Sequence, residues 1–135
     1  EKNSLDAKKS IDILMEDTKR KLQNYGNNGF IYFHDAYQSF EKRFGLKASG
    51  SITLSTEVMP GAKRLKELKA LINNENIKCV FSEPQFESKI VKAVIEGTGK
   101  KAVVLDPLGY NIEPGKNLYN KLIVNMTESF LSCIK

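Results

Sequence analysis

Gly29-Phe30-Ile31-Tyr32-Phe33-His34 contains four consecutive aromatic or aliphatic residues with no polar position among them. A strand with one wet face alternates apolar and polar side chains, whereas a strand covered on both faces reads as a continuous apolar run. Phe30 to Phe33 therefore reads as a buried strand. The same alternation of elements continues outward from it. Ala36, Tyr37, Phe40 and Phe44 mark one face of a helix that Gly45 ends, and Ser51 to Ser55 reads as a second strand. Pro60 opens a helix with Ala62, Leu65, Leu68 and Ile72 inward. Lys78 to Phe81 is a third strand, and Ile90, Val91, Val94 and Ile95 stripe the next helix. Ala102 to Leu105 is a fourth strand, and Leu118, Leu122, Ile123, Met126 and Phe130 stripe a final helix. Short apolar strands alternating with helices predict an α/β fold of three layers. Its four-stranded parallel sheet is flanked by helices and joined by right-handed crossovers.

Upstream, Ile11, Leu14, Met15, Leu22 and Tyr25 recur at helical spacing, and Gly26-Asn27-Asn28-Gly29 ends the pattern. Residues 1–28 thus form one long helix preceding an α/β lobe at 29–135. The chain opens on Glu1-Lys2 with no initiator Met and no signal-like segment, as expected of a processed chain or a fragment as readily as of a whole gene product.

The 135 residues carry a net charge of +5, with 41% hydrophobic and 27% charged residues. No apolar stretch approaches the roughly 18 residues of a membrane span. The basic residues are spread along the helices near Asp and Glu, without an Arg-rich arm, which argues against nucleic acid as a partner. Cys79 and Cys133 lack the paired spacing of a zinc knuckle. By spacing alone they are two free thiols or one disulfide.

In open parallel sheets, ligands collect beyond the carboxyl ends of the strands. There the first strand runs into His34-Asp35, the third into Ser82-Glu83 and the fourth into Asp106-Pro107. A neutral imidazole suits a borderline-soft divalent metal. A lone histidine after a strand is more often structural than a ligand; with Asp106 at the equivalent end of another strand, both readings stand. Glu83 and Asp35 are secondary candidates, and Asp35, placed just before the Ala36 helix, suits helix capping. Asp106 also admits a second reading, as the phosphoacceptor of a receiver-like signalling domain, and a pure protein-interaction module is a third. Neither a G-x-S-x-G, a P-loop nor a G-x-G-x-x-G occurs, so an enzyme is not expected.

Read in order, F-H-D-A-Y-Q-S-F-E-K-R-F-G-L (Phe33 to Leu46), S-T-E-V-M-P-G-A-K-R-L (Ser55 to Leu65), V-F-S-E-P-Q-F (Val80 to Phe86) and V-L-D-P-L-G (Val104 to Gly109), followed by the helix of Tyr119, resemble the carboxy-terminal lobe of the metal-binding proteins of zinc and manganese ABC importers, the ZnuA type in particular. The resemblance covers nearly the whole chain. It implies a periplasmic or otherwise extracytoplasmic protein, not an enzyme, that binds zinc with high affinity and delivers it to a membrane permease. His34 falls on the position that supplies a metal ligand from this lobe, and Asp106 on the carboxylate at the metal site. Manganese members usually carry Glu at the first position, so His34 implies zinc ahead of manganese. The long first helix matches the helix that spans both lobes, and Cys79 and Cys133 sit where some members carry a disulfide. Closing that loop is worth about 4 kcal/mol in the chain-entropy model. The amino-terminal lobe and its histidines have no counterpart here. The chain is therefore expected to hold half of the site, to bind zinc weakly alone, and to expose a cleft wall that favours self-association.

Overall fold

A computed structural model describes residues 2–55, 60–74, 76–86 and 89–134. Among them the order is α1 (Lys2–Leu22), β1 (Gly29–His34), α2 (Gln38–Phe44), β2 (Gly50–Thr53), α3 (Ala62–Ile72), β3 (Ile77–Ser82), α4 (Lys89–Ile95), β4 (Lys101–Val104) and α5 (Leu118–Ile134). All pairings are parallel, in the order β2-β1-β3-β4. The α/β class, the four parallel strands and the long first helix are as the sequence predicts.

Alternation along β1 divides the core. Phe30 and Tyr32 point to one face, where they meet Leu22, Phe44, Phe81, Phe130 and Leu131 beneath α1, α2 and α5. Ile31 and Phe33 point to the other, among Ile52, Leu68, Val80, Val91 and Val94 beneath α3 and α4. Both faces are therefore covered at β1, which is why its run has no polar position. Phe130 anchors the first core, edge-on to Phe30 and Phe81 and stacked on Phe40 at 5.1 Å. Such pairs each add about 0.5–1.5 kcal/mol to simple burial.

α1 packs on α5 between Ser10 and Lys21. Thr18 and Thr127 are buried together, Asn120 donates to the Ser10 hydroxyl at 2.7 Å, and Lys21 pairs with Glu128. The Cys79–Cys133 disulfide ties the middle of β3 to the last turn of α5.

Three local expectations change. β2 ends at Thr53, leaving Leu54 84% exposed. Pro60 precedes rather than opens α3, whose N-cap is Gly61. β4 is an edge strand with Ala102 and Val104 exposed, so the sheet is not covered on both faces along its whole width. Thr56 to Met59, within one of the motifs quoted above, lie outside the described residues.

Candidate metal centre

Strand order determines where the polar residues meet. From the central pair β1 and β3, the chain leaves through α2 towards β2 on one side and through α4 towards β4 on the other. α2 and α4 lie on opposite faces of the sheet, so a crevice opens at the carboxyl ends of β1 and β3. His34 ends β1, and Glu83 immediately follows β3.

His34 Nδ1 lies 2.7 Å from Glu83 Oε1. The ring N–H direction is off the line to that oxygen, so the pair is a close polar contact rather than a well-aligned hydrogen bond. The same oxygen accepts the Tyr37 hydroxyl at 2.8 Å. The imidazole side chain keeps 21% exposure, whereas the Glu83 side chain keeps 2%. Tyr37 stacks on Tyr32 at 4.4 Å, and Phe86 stacks on Phe33 while meeting His34 edge-on at 6.0 Å. The histidine is thus held between two aromatic rings over a buried carboxylate.

Burial raises the Glu83 pKa, and the nearby Asp106 raises it further; the Tyr37 hydroxyl and His34 act the other way without cancelling the rise. Burial likewise pushes the Tyr37 phenol up, helped by Glu83, so Tyr37 remains a donor. A carboxyl with a raised folded pKa binds more protons folded than unfolded. Stability therefore falls as pH rises from the ordinary carboxylate range through the raised value, and is flat above it. Glu83→Gln, which keeps an oxygen for Tyr37, is expected to melt higher than the wild type near neutral pH and to lose that part of the pH dependence. Thermal melts between about pH 4 and about pH 8 check this. A less stable glutamine variant at neutral pH would mean that the His34 and Tyr37 contacts outweigh the burial of the charge.

Asp106 follows β4 and organises the turn after it. Its Oδ1 accepts the backbone N–H groups of Leu108 and Gly109, both at 3.0 Å, and Gln85 Nε2 at 2.9 Å. Its Oδ2 accepts the backbone N–H of Tyr110 at 2.6 Å. Gly109 takes φ +72°, a left-handed conformation that suits glycine. Asp106 is near enough to Glu83 and Tyr37 to raise both their pKa values.

His34, Glu83 and Asp106 are therefore brought to one edge of the sheet. Asp35 is not drawn in. Its side chain is exposed, α2 starts only at Gln38 with Tyr37 at the N-cap, and Gln38 Nε2 bonds the Asp35 backbone carbonyl, so the expected capping by Asp35 is not found. Sequence reasoning missed Tyr37, which it assigned to the core stripe of α2, and gave no role to Gln85, a half-buried amide that donates to Asp106. Among the described residues, no group of three or more His, Cys, Asp or Glu side chains is arranged to hold a metal ion. One imidazole and one carboxylate make a partial donor set for zinc, which normally takes four ligands.

This architecture defines an α/β lobe of the ligand-binding class, with its polar residues gathered at a topological switch point. The family model for ZnuA, zinc-uptake complex component A, periplasmic, matches residues 1–133, and the chain belongs to that family. The high-affinity zinc uptake system protein ZnuA of Brucella abortus (strain 2308) is 46% identical over 134 residues, 99% of this chain and 40% of that protein. Its namesake from Yersinia pestis is 38% identical over 114 residues, 84% of this chain and 36% of that protein. Among solved structures, a mutant of the laminin-binding adhesin Lmb from Streptococcus agalactiae superposes with a TM-score of 0.79 at 29% identity, over 95% of this chain and 48% of that one. The chain thus spans about 40% of the length of the first of these curated relatives. Neither alternative reading gains support. Asp106 is engaged by four donors rather than presented as a phosphoacceptor, and the family is one of zinc uptake rather than of signalling or simple interaction modules.

Proposed function

We propose that this chain is the carboxy-terminal part of a periplasmic zinc-binding protein, with residues 29–135 as the metal-binding lobe and 1–28, the segment that carries α1, joining it to an amino-terminal lobe. His34 and Asp106 are its share of the zinc site, and Glu83 stands behind the imidazole. In the intact protein the other lobe completes the coordination, and the loaded protein hands its cargo to an ABC permease. The observation that carries this reading is the meeting of His34, Glu83 and Asp106 at the switch point of the sheet in a chain 46% identical to a zinc uptake protein. Imidazole favours zinc over manganese, which prefers oxygen donors. Leu54, Leu108 and Tyr110, all exposed after the carboxyl ends of their strands, suit a wall that another lobe covers, and suit self-association when nothing does.

Competition of the oxidised chain with a chromogenic chelator tests the reading. Zinc should bind weakly, with one equivalent lost in His34→Ala. At a free zinc concentration 100 times its dissociation constant, binding should add about 2.7 kcal/mol to stability. Zinc binding unchanged in His34→Ala, or no binding at all, would remove His34 as a working ligand of this chain.

A further inference from the structure

We propose that Tyr37 is a positioning residue that acts through Glu83 to fix the tautomer of His34, keeping the proton on Nδ1 and leaving Nε2 bare for a metal. The inference rests on the reading of His34 as a zinc ligand, and its argument comes from three side chains. Tyr37 is 3% exposed and Glu83 5%. The Tyr37 ring is clamped against Tyr32 at 4.4 Å, and the hydroxyl donates to Glu83 Oε1 at 2.8 Å. That oxygen in turn lies 2.7 Å from His34 Nδ1.

A phenol has one proton to give, and Glu83 Oε1 is the acceptor within its reach. Tyr37 O–H must give its proton to Oε1. The pair is not aligned as a hydrogen bond, but a carboxylate oxygen 2.7 Å from Nδ1 meets the positive end of an N–H more favourably than the negative end of a bare ring nitrogen, so the imidazole proton belongs on Nδ1. A neutral imidazole carries one N–H, and Nε2 is then the acceptor. Without the Tyr37 hydroxyl, Oε1 loses the donor that anchors it under the ring, and the carboxylate gains rotational freedom. Partners behind a ligating histidine commonly fix its tautomer and orientation, and their loss weakens metal binding by about 10- to 100-fold. Tyr37 stands one step further back, and the lower end of that range is expected of it.

His34 is the only histidine of the chain, so every imidazole nitrogen signal in a long-range proton–nitrogen correlation spectrum belongs to it. At alkaline pH without metal, the wild-type chain should show a protonated Nδ1 and a bare Nε2. Tyr37→Phe keeps the ring stack and removes only the hydroxyl. It should populate the opposite tautomer measurably and weaken zinc binding about 10-fold. Glu83→Ala should shift the tautomer further. A wild-type spectrum with the proton on Nε2 would overturn the proposal. So would a Tyr37→Phe chain whose tautomer ratio matches the wild type. If the tautomers behave as expected while zinc leaves the Nε2 signal untouched, the relay stands and the assignment of His34 as ligand fails.

Discussion

Replacing Cys79 and Cys133 together by alanine should lower the stability of the chain by about 4 kcal/mol and its melting temperature on the order of 15 °C. The two cysteines are 54 residues apart in sequence. A cross-link over a loop of that length removes a large share of the freedom of the unfolded chain, about 4 kcal/mol in the chain-entropy model. Both residues are almost fully buried, so the alanine pair also leaves a small unfilled space in the core beneath α5. The bond holds the last turn of α5, and α5 carries α1 through Ser10–Asn120, Thr18–Thr127 and Lys21–Glu128. Loosening should therefore appear first in the amide exchange of α5 and α1, and last in β1. The metal-facing edge should be spared. Cys79 lies four residues before Glu83, about 13 Å along an extended chain. Denaturant titration of the double variant, or of the wild type with and without reductant, measures the loss. Coincident unfolding curves would mean that the tertiary packing of α5 holds without the bond.

The sequence disclosed the parts of this fold whose causes are local or strongly patterned. Phe30 to Phe33 has no polar position because both faces of β1 are covered, and that alone calls for helices on two sides of a parallel sheet. The outer strand shows where such reasoning stops. Ala102 to Leu105 looks as apolar as β1, yet Ala102 and Val104 are exposed because no helix covers them on their face of β4, whereas β2 at the other edge is buried. Helix cover is set by long-range packing, and a four-residue run carries no record of it. The start of α2 failed for a different reason. Ala36 N–H bonds the His34 carbonyl, a tight turn that delays the helix to Gln38 and leaves Asp35 outside it. At the site, His34, Glu83 and Asp106 were legible because the ends of parallel strands are where polar residues gather. Tyr37 was not, because its ring answers to the helical pattern of the core while only its hydroxyl reaches the site. A residue with an apolar body and a polar tip has two addresses, and periodicity reads only the first.

Substitutions of Asp106 should separate its two roles. Asp106→Ala is expected to cost about 2–3 kcal/mol, because one carboxylate satisfies the backbone N–H groups of Leu108, Gly109 and Tyr110 together with the Gln85 amide. The turn is partly exposed, and water replaces some of those bonds, which keeps the loss well below four full hydrogen bonds. Asp106→Asn retains Oδ1 for Leu108, Gly109 and Gln85 but sets an NH2 group against the Tyr110 N–H. One mismatched contact of that kind costs about 1 kcal/mol. The fold of the asparagine variant should therefore stay near that of the wild type. Its zinc binding should not. On the proposed reading, Oδ2 accepts a single N–H and keeps room to meet a metal, and the negative charge of the group offsets part of the charge of the ion. Neutral asparagine supplies neither the charge nor, in its bonded orientation, an oxygen at that place. Melting curves and chelator competition on both variants measure the two effects separately. An asparagine variant that melts near the wild type but has lost zinc assigns Asp106 to the metal shell. One that binds zinc as the wild type does reduces Asp106 to the organiser of its turn, and leaves His34 as the sole ligand this lobe contributes.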